Sequence, residues 1–200
     1  MKTLILVRHS EPVKDKTIPT AEIPLCESGY IKADELFTIG IFRCVDKVYT
    51  SPYRRAYDTA VRLSEVLTVD TRLKERDTGN PLTLNREFWK RQYEDYDYKN
   101  RGGESLNNVK ERMTLAINEI LSGMSDGETV AVISHATAIC AFLLNWCLIE
   151  VTDEEKKLRR ITHNARIVLN GKISTPCVFV LTFEDEKISE ISYMDVEKNS

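Results

Sequence analysis

The sequence lacks several features that would assign a protein class at once. Its five cysteines are scattered and odd in number, with no CxxC spacing, so neither a disulfide framework nor a zinc motif is indicated. No apolar run approaches the length of about 18 residues that a membrane helix needs. The five uncharged residues Thr3–Val7 are too few for a signal peptide. We expect a reduced, cytoplasmic chain that makes no contact with membranes, with its cysteines buried as small apolar side chains.

An excess of basic charge is also lacking. The 28 basic and 31 acidic residues give a formal net charge of −3, which argues against a dedicated nucleic-acid-binding protein. Neither a P-loop pattern nor a cluster of metal ligands is present, so P-loop NTPases and metal-dependent phosphatases are excluded. With 200 residues, 42% of them hydrophobic, the chain suits one soluble domain over residues 1–200. Any anion-binding site must therefore be a local one.

The most informative stretch is the apolar run Leu4–Val7, which stops at Arg8 and His9. Four aliphatic residues in a row, two of them β-branched, predict a strand that is buried on both faces, as in the centre of a parallel sheet. In open α/β sheets, ligands bind beyond the carboxyl ends of the strands. A cation and an imidazole at this edge are therefore placed for chemistry.

A second run repeats this pattern. Val130–Ile133 is again apolar and partly β-branched, and it ends on Ser134 and His135. We predict that it forms another central strand over residues 129–134. Two buried strands that each end on a histidine bring both imidazoles to the same edge of the sheet.

The rest of the chain alternates between helical and strand patterns, which favours an α/β fold. Helices are predicted over residues 27–42, 51–67, 105–123, 137–149 and 153–160. In the helix over 51–67, Ser51 is the predicted N-cap and Pro52 the first helical residue, and Ser105 caps the helix that ends near residue 123. Further strands are predicted at 45–50, 69–73, 165–169, 177–183 and 188–194, the last three extending the sheet in part antiparallel. Residues 75–103 lose periodicity and are interpreted as a functional excursion.

Five segments of the chain bear comparison with a known family. They are Leu6–Glu11 with its Arg-His pair, Ser51–Ala60 with the pattern Ser-Pro-x-x-Arg-Ala-x-x-Thr-Ala, Leu73–Gly79, Gly102–Ser105 with Gly-Glu-Ser, and Val132–His135. In this order they resemble the signatures of the histidine phosphatase superfamily, also called the phosphoglycerate mutase-like fold. The resemblance implies a three-layer α/β/α sandwich with a mostly parallel central sheet.

The resemblance also implies a role for each motif residue. His9 is the nucleophile that forms a phosphohistidine, and flanking arginines favour its neutral, attacking form because a like charge opposes protonation. Arg8 and Arg55 offer planar forks that suit bidentate contact with phosphoryl oxygens. His135, if protonated, adds a third positive donor beside the nucleophile. Glu75 is the general acid that protonates the leaving alkoxide and later activates water.

Other residues near these motifs receive weaker assignments. Ser134 is a candidate for a backbone or hydroxyl contact to phosphate. Arg54 and Arg76 neighbour site residues in sequence but are expected to be solvated charges, and His163 matches no motif and is expected to be structural. Six residues of the excursion suit either a substrate lid or packing over the sheet edge: Arg86, Trp89, Arg91, Tyr93, Tyr96 and Tyr98.

Some positions depart from the family pattern. The glycine that usually follows Arg-His is Ser10, and the place of a phosphate-contacting asparagine, six residues after the nucleophile, is taken by Asp15. An acidic side chain there would repel phosphate, so this loop is expected to be shifted. Asn80–Pro81 replaces the frequent Trp-Glu-Gly, and Ala136 follows the second histidine instead of glycine. The substrate of other family members therefore cannot be assumed.

Three functions remain open from the sequence. The first is a phosphomonoesterase that needs no metal or cofactor and acts on a small phosphate ester, as a monomer or homodimer. The second is a phosphoglycerate-mutase-type isomerase, and the third is a catalytically silent protein that only binds a phosphorylated ligand. The family's mutases resemble one another in a longer segment after the acid. Only 22 residues separate Gly79 from Gly102 here, which favours the phosphatase.

Overall fold

The structure is a computed structural model that describes residues 1–80, 84, 88, 91–92, 94–153, 155–184 and 187–195. The strands are β1 (Lys2–Arg8), β2 (Lys47–Thr50), β3 (Thr68–Val69), β4 (Thr129–Ser134), β5 (Leu148–Asp153), β6 (Leu158–His163), β7 (Arg166–Lys172), β8 (Cys177–Glu184) and β9 (Lys187–Asp195). The helices named here are α1 (Glu27–Phe37), α2 (Arg54–Ala60), α3 (Leu106–Ser122) and α4 (Ala136–Leu143), with 3₁₀ turns at Gly40–Cys44 and Thr71–Leu73. Within the described ranges, no helix is both long and apolar enough to cross a membrane.

The central sheet has six strands in the order β3-β2-β4-β1-β8-β9. The first four strands run parallel, and β8 and β9 are added antiparallel. In the pairing of β1 with β4, Arg8 lies opposite Ser134, and in the pairing of β2 with β4, Thr50 lies opposite Ile133. The residues that follow these three strands therefore leave the sheet at one edge.

Helices cover both faces of this sheet, as the alternation of side chains along β1 shows. Leu4 and Leu6 belong to the apolar core that includes α3 and α4, whereas Ile5 and Val7 belong to the core on the side of α1 and α2. All four side chains have no exposed surface, and each contributes about 1.5–3 kcal/mol by its burial. The expected three-layer α/β/α sandwich with a mostly parallel sheet is confirmed.

The helix predicted from Ser105 to Gly123 is also confirmed. Ser105 and Asn108 form a capping box in which each side chain accepts a hydrogen bond from the other residue's backbone N–H. The apolar residues at helical spacing, including Val109, Met113 and Ile117, face the core. This helix is long and well anchored, so it can support the loops that precede it.

Two helices on the other face are shorter than predicted. The first ends at Phe37 and is followed by the 3₁₀ turn, instead of continuing to residue 42. The second begins at Arg54 with Tyr53 as N-cap, because Ser51 Oγ accepts the N–H of Tyr53 and holds the chain in a turn before the helix. It ends at Ala60 instead of residue 67. The cap and its position at Ser51–Pro52 were thus wrongly predicted.

The region after His135 differs most from the sequence-based expectation. The buried helix ends at Leu143, and the charged helix predicted over residues 153–160 is wrong, because Asp153 ends β5, residues 155–157 form a turn and Leu158 begins β6. Lys157, with a φ of 57°, adopts the left-handed conformation in its turn. Glu150 and Arg160 form an ion pair across the two strands. Because β5, β6 and β7 form a separate sheet, β7 does not extend the central one, whereas β8 and β9 do.

Candidate active site

His9 leaves the end of β1 with its main chain bonded to the neighbouring central strand. Its N–H donates to the carbonyl of Ser134 at 2.9 Å, which extends the parallel pairing by one residue. Its ring Nδ1 lies 2.7 Å from the carbonyl oxygen of Ser10. Because a carbonyl oxygen only accepts hydrogen bonds, Nδ1 carries the proton, and in a neutral ring Nε2 is the unprotonated nitrogen that holds a lone pair. The fold thus fixes the ring with Nε2 as its acceptor atom.

The surroundings of His9 keep the ring neutral. Burial lowers its pKa most, and the positive charges of Arg55 and then Arg8 lower it further. The hydrogen bond with Ser10 opposes this shift but does not offset it, so the pKa lies well below its ordinary value. A neutral imidazole with a directed lone pair has the form that a nucleophile requires.

Arg55 is the second residue of α2, which follows β2, and its side chain reaches His9. Its Nε donates to Nε2 of His9 at 3.1 Å, and its Nη1 donates to the carbonyl of Thr20 at 2.6 Å. The guanidinium carbon lies 5.1 Å from the centre of the Tyr53 ring. Arg55 is almost fully buried, yet its hydrogen bonds here go to neutral acceptors, which leave its positive charge available to an anion.

His135 stands at the N-cap of α4 and faces His9. The ring centres of the two histidines are 5.0 Å apart at an angle of 60°, and Tyr53 forms a similar edge contact with His135. Nε2 of His135 lies 2.8 Å from Ser51 Oγ, while its buried Nδ1 has no partner among the described residues. Burial first, and then His9 and Arg55, hold its pKa well below the ordinary value. Without a bound anion these causes favour the neutral form of His135, and the third positive charge considered from the sequence stays a prediction.

Arg8 is the last residue of β1 and is held from the opposite end of the chain. Its Nη1 donates to the carbonyls of Ile173 at 2.7 Å and Ser174 at 3.2 Å. Its Nε is buried without a partner in the described part of the chain. Glu75 interacts favourably with the charges of both Arg8 and Arg55, so the acid and the two cations share one environment.

Glu75 follows the 3₁₀ turn after β3, and its carboxylate lies at the beginning of α4. Oε1 accepts the backbone N–H groups of Arg76 at 2.8 Å and Ala138 at 3.1 Å, and Oε2 accepts that of Thr137 at 3.3 Å. The unpaired N–H groups of a helix start suit a negative charge. One helix start therefore positions both Glu75 and His135.

Ser134 connects these parts through its main chain and its hydroxyl group. The hydroxyl donates to the carbonyl of Leu73 at 2.8 Å, while the carbonyl of Ser134 accepts the N–H of His9. The side chain thus ties the end of β4 to the segment that carries Glu75. A contact of Ser134 with phosphate stays a prediction.

Arg112, for which the sequence predicted no role, fixes the segment of residues 72–75 that carries Glu75. Arg112 of α3 donates from Nη1 to the carbonyls of Arg72 and Lys74, at 2.6 and 2.9 Å, and forms an ion pair with Glu104 at 2.7 Å. Burial raises the pKa of Glu104, but the hydrogen bonds from Arg112 and from the backbone N–H of Asp77 outweigh it and hold the pKa below its ordinary value. The position of Glu104 in the Gly-Glu-Ser motif was the available signal, but its partner was not identifiable.

The expectation that Arg76 is a solvated charge is wrong. Its side chain is buried and donates to the carbonyls of Glu104 at 2.8 Å and Tyr98 at 3.2 Å, and to Gln92 Oε1. Its guanidinium also lies over the ring of Phe88. Arg76 therefore joins the start of the excursion, next to Glu75, to its later part at Gln92, Tyr98 and Glu104. Arg54, as expected, is exposed and pairs with Asp58.

Two glycines bring the ends of the excursion together. A Cβ on Gly79 would lie 2.7 Å from the carbonyl oxygen of Arg101, and one on Gly103 would lie 2.8 Å from the nitrogen of Gly79. Real side chains do not tolerate such approaches, so both positions require glycine.

Within the excursion, Tyr96 packs on the core and Arg91 lies over the Tyr98 ring. Of the six residues considered for a lid, Arg86, Trp89 and Tyr93 lie outside the described residues.

The departures from the family pattern take up local roles. Ser10 is fully buried, and its hydroxyl donates to the carbonyl of Gly29 at 2.6 Å. Asp15 lies on the surface, where its carboxylate accepts the N–H and hydroxyl of Thr17 and closes a turn. Tyr53, which had no predicted role, is half-buried between Arg55 and His135. Its place within the Ser-Pro motif was the only signal for it.

The fold and the motifs define a family. The model of the histidine phosphatase superfamily (branch 1) matches residues 4–172, and the chain belongs to this superfamily. A protein of Hydrogenobacter thermophilus, provisionally named a phosphoserine phosphatase, is 37% identical over 86 residues, which span 40% of this chain and 42% of that protein. A protein of Mycobacterium tuberculosis named as bifunctional is 36% identical over 104 residues, 46% of this chain and 28% of its own. The matches thus span less than half the length of these curated relatives.

Solved structures show the same fold over nearly the whole chain. A phosphoserine phosphatase from Entamoeba histolytica in complex with 3-phosphoglyceric acid is 18% identical, with a TM-score of 0.70 over 98% of this chain and 99% of that one. A mycobacterial glucosyl-3-phosphoglycerate phosphatase with inorganic phosphate is 23% identical, with a TM-score of 0.67 over 96% and 94% of the two chains. At these identities the likeness concerns the fold.

The two neutral histidines predict a pH-dependent stability. In the unfolded chain their pKa returns to about 6.5, so below this pH the unfolded state binds more protons and the free energy of unfolding falls. We expect a loss of up to about 1.4 kcal/mol per pH unit for each histidine between pH 6 and 5. Urea unfolding at several pH values measures this change in the free energy of unfolding. His9→Asn should remove about half of the pH dependence, and the control Tyr49→Phe on β2 should remove none. An unchanged pH dependence in His9→Asn would contradict a buried, neutral His9.

Proposed function

We propose that this protein is a phosphomonoesterase that acts on a small phosphorylated metabolite through a phosphohistidine at His9, without a metal ion. The observation that carries the proposal is the lone pair of His9 Nε2. It is fixed by the hydrogen bond of Nδ1 to Ser10 and points to the guanidinium of Arg55, and both side chains are buried. A neutral nucleophile beside a buried cation matches what phosphoryl transfer to a side chain needs.

The reaction takes place in two displacements. In the first, Nε2 of His9 bonds to phosphorus while the bond from phosphorus to the ester oxygen breaks, and protonated Glu75 gives its proton to the leaving oxygen. In the second, water attacks phosphorus and gives a proton to the Glu75 carboxylate. The phosphorus–nitrogen bond then breaks and its electron pair returns to Nε2. After the first step Glu75 is a carboxylate and His9 carries the phosphoryl group, and the second step returns both residues to their original states.

The arginines supply the positive charge for these steps. Without ligand, Nε of Arg55 donates to Nε2 of His9, so a bound phosphoryl oxygen replaces Nε2 as the acceptor and frees the lone pair for attack. Arg8 and Arg55 together balance a phosphate dianion, and His135 contributes a ring nitrogen beside His9. Preorganised donors in a buried site stabilise the charge of the transition state more strongly than water does.

The names of the relatives support the substrate class. One curated relative is provisionally named a phosphoserine phosphatase, and solved structures of the same fold include phosphatases of phosphoserine and of glucosyl-3-phosphoglycerate. These are small, anionic phosphate esters. A panel of such esters, assayed for phosphate release, identifies which of them this chain hydrolyses.

Replacement of His9 tests the nucleophile. His9→Ala should lose essentially all turnover, because no other described side chain provides a lone pair at this position. Chelators should leave the wild-type rate unchanged. Rapid quenching with labelled substrate should trap an acid-labile, base-stable phosphoenzyme in the wild type only. An acid-stable phosphoserine or phosphothreonine would exclude His9.

Replacement of Glu75 tests the general acid. Glu75→Gln retains the hydrogen bonds of one oxygen but cannot give a proton, so it should slow alkyl phosphates much more than aryl phosphates with good leaving groups. The ratio of kcat/KM values for the two ester classes measures this difference. Asp77→Asn is the matched control, since Asp77 is the nearest alternative acid in the motif. An equal loss for both ester classes in Glu75→Gln would assign the acid elsewhere.

The isomerase alternative is tested with 3-phosphoglycerate and a bisphosphoglycerate primer. A mutase must protect its phosphoenzyme from water until the second transfer. Only 22 residues lie between Gly79 and Gly102, which leaves little chain for such closure. Asp77, two residues after Glu75, adds negative charge, whereas retention of a phosphoryl group needs positive charge. We expect slow phosphate release at most. A phosphate assay and NMR of the products measure it. Efficient formation of 2-phosphoglycerate would establish the isomerase instead.

A further inference from the structure

The orientation of Arg8 depends on a segment near the end of the chain. Nη1 donates to the carbonyls of Ile173 and Ser174, so this nitrogen is occupied by the protein itself. The guanidinium still has its Nε and Nη2 donors, which are parallel and form the second edge of the fork. Nε is buried and without a partner in the described ranges, as expected for a donor kept for a ligand.

The segment that anchors Arg8 is itself held by the last strand. The N–H of Ser174 donates to the hydroxyl of Tyr193 at 3.1 Å, and its hydroxyl donates to the carboxylate of Asp195. The Tyr193 hydroxyl also donates to Asp195 at 3.4 Å. Two side chains of β9 thus converge on one residue of the loop between β7 and β8 and are bonded to each other.

The sheet register places this cluster in line with Arg8. Arg8 lies opposite Cys177 on β8, and Cys177 lies opposite Asp195 on β9. Asp195 is buried, and the Tyr193 ring packs edge-on against buried Phe179 at 5.0 Å between ring centres. These groups are therefore fixed relative to the sheet, and they can transmit that order to the carbonyls that hold Arg8.

We propose that Ser174, Tyr193 and Asp195 are positioning residues for Arg8. They hold the carbonyls of Ile173 and Ser174 against Nη1 and thereby turn the Nε–Nη2 edge of the guanidinium toward the phosphoryl group. The inference rests on the proposed function, in which Arg8 binds this group. The three residues lie beyond position 172, where the match to the family model ends, so they are a feature of this chain that the motifs do not contain.

Binding of inorganic phosphate, measured by isothermal titration calorimetry, tests this role without requiring turnover. Ser174→Ala, Tyr193→Phe and Asp195→Asn should each weaken phosphate binding by between about threefold and tenfold, the effect of a lost hydrogen bond. Ser174→Thr keeps the hydroxyl group and should restore the wild-type affinity. Ser189→Ala on β9 and Tyr49→Phe on β2 are matched controls and should bind phosphate as the wild type does.

A double-variant comparison shows whether the effect passes through Arg8. In an Arg8→Lys background there is no fork to orient, so Ser174→Ala and Tyr193→Phe should cause no further loss of phosphate affinity. The same fold-loss in both backgrounds, or no loss in either, would overturn the proposal. If Asp195→Asn does not fold, Tyr193→Phe takes its place in the comparison, because it retains the packing of the ring. A wild-type protein that binds phosphate but hydrolyses no ester would overturn the proposed function alone.

Discussion

The site depends on one parallel pairing, that of β1 with β4. Arg8 lies opposite Ser134, and the N–H of His9 continues the ladder to the carbonyl of Ser134, so His9 and His135 leave the sheet side by side. A shift of this register by one residue would move the apolar side chains of β1 to the wrong faces of a sheet that is buried on both sides. The same core packing that stabilises the sandwich therefore also fixes the distance between the two histidines.

The two arginines of the candidate site differ in their partners from three arginines that form ion pairs. Arg55 is buried and Arg8 is half-buried, and both donate to main-chain carbonyls, whereas Arg112, Arg72 and Arg62 are paired with carboxylates. A carbonyl dipole orients a guanidinium without cancelling its charge. The site thus keeps positive charge that is complementary to a phosphate dianion. Burial lowers the pKa of both histidines most, and this positive charge lowers it further.

The sequence predicted those parts of the fold that depend on local patterns. Buried parallel strands that end on Arg8-His9 and Ser134-His135 are visible as apolar runs, and α3 is visible from its cap and its spacing. Residues 153–160 were misassigned because a charged run, acidic first and then basic, suits either a solvated helix or a polar hairpin. The packing of Ile161 in the core favours the hairpin. Arg76 was misassigned for a related reason, since its burial depends on acceptors supplied by residues 92–104.

The motifs identify which side chains the site uses, but the geometry of those side chains comes from residues far away in the chain. Nη1 of Arg8 is anchored by carbonyls 165 and 166 positions later, and Arg112 holds the Glu75 segment from α3. Such acceptors are main-chain atoms, which every residue possesses, so no residue type marks them in a sequence. Under the role proposed for Arg8, two members of the family can share every motif residue and still present a different edge of this arginine to the phosphoryl group, because a loop outside the motifs would set that edge.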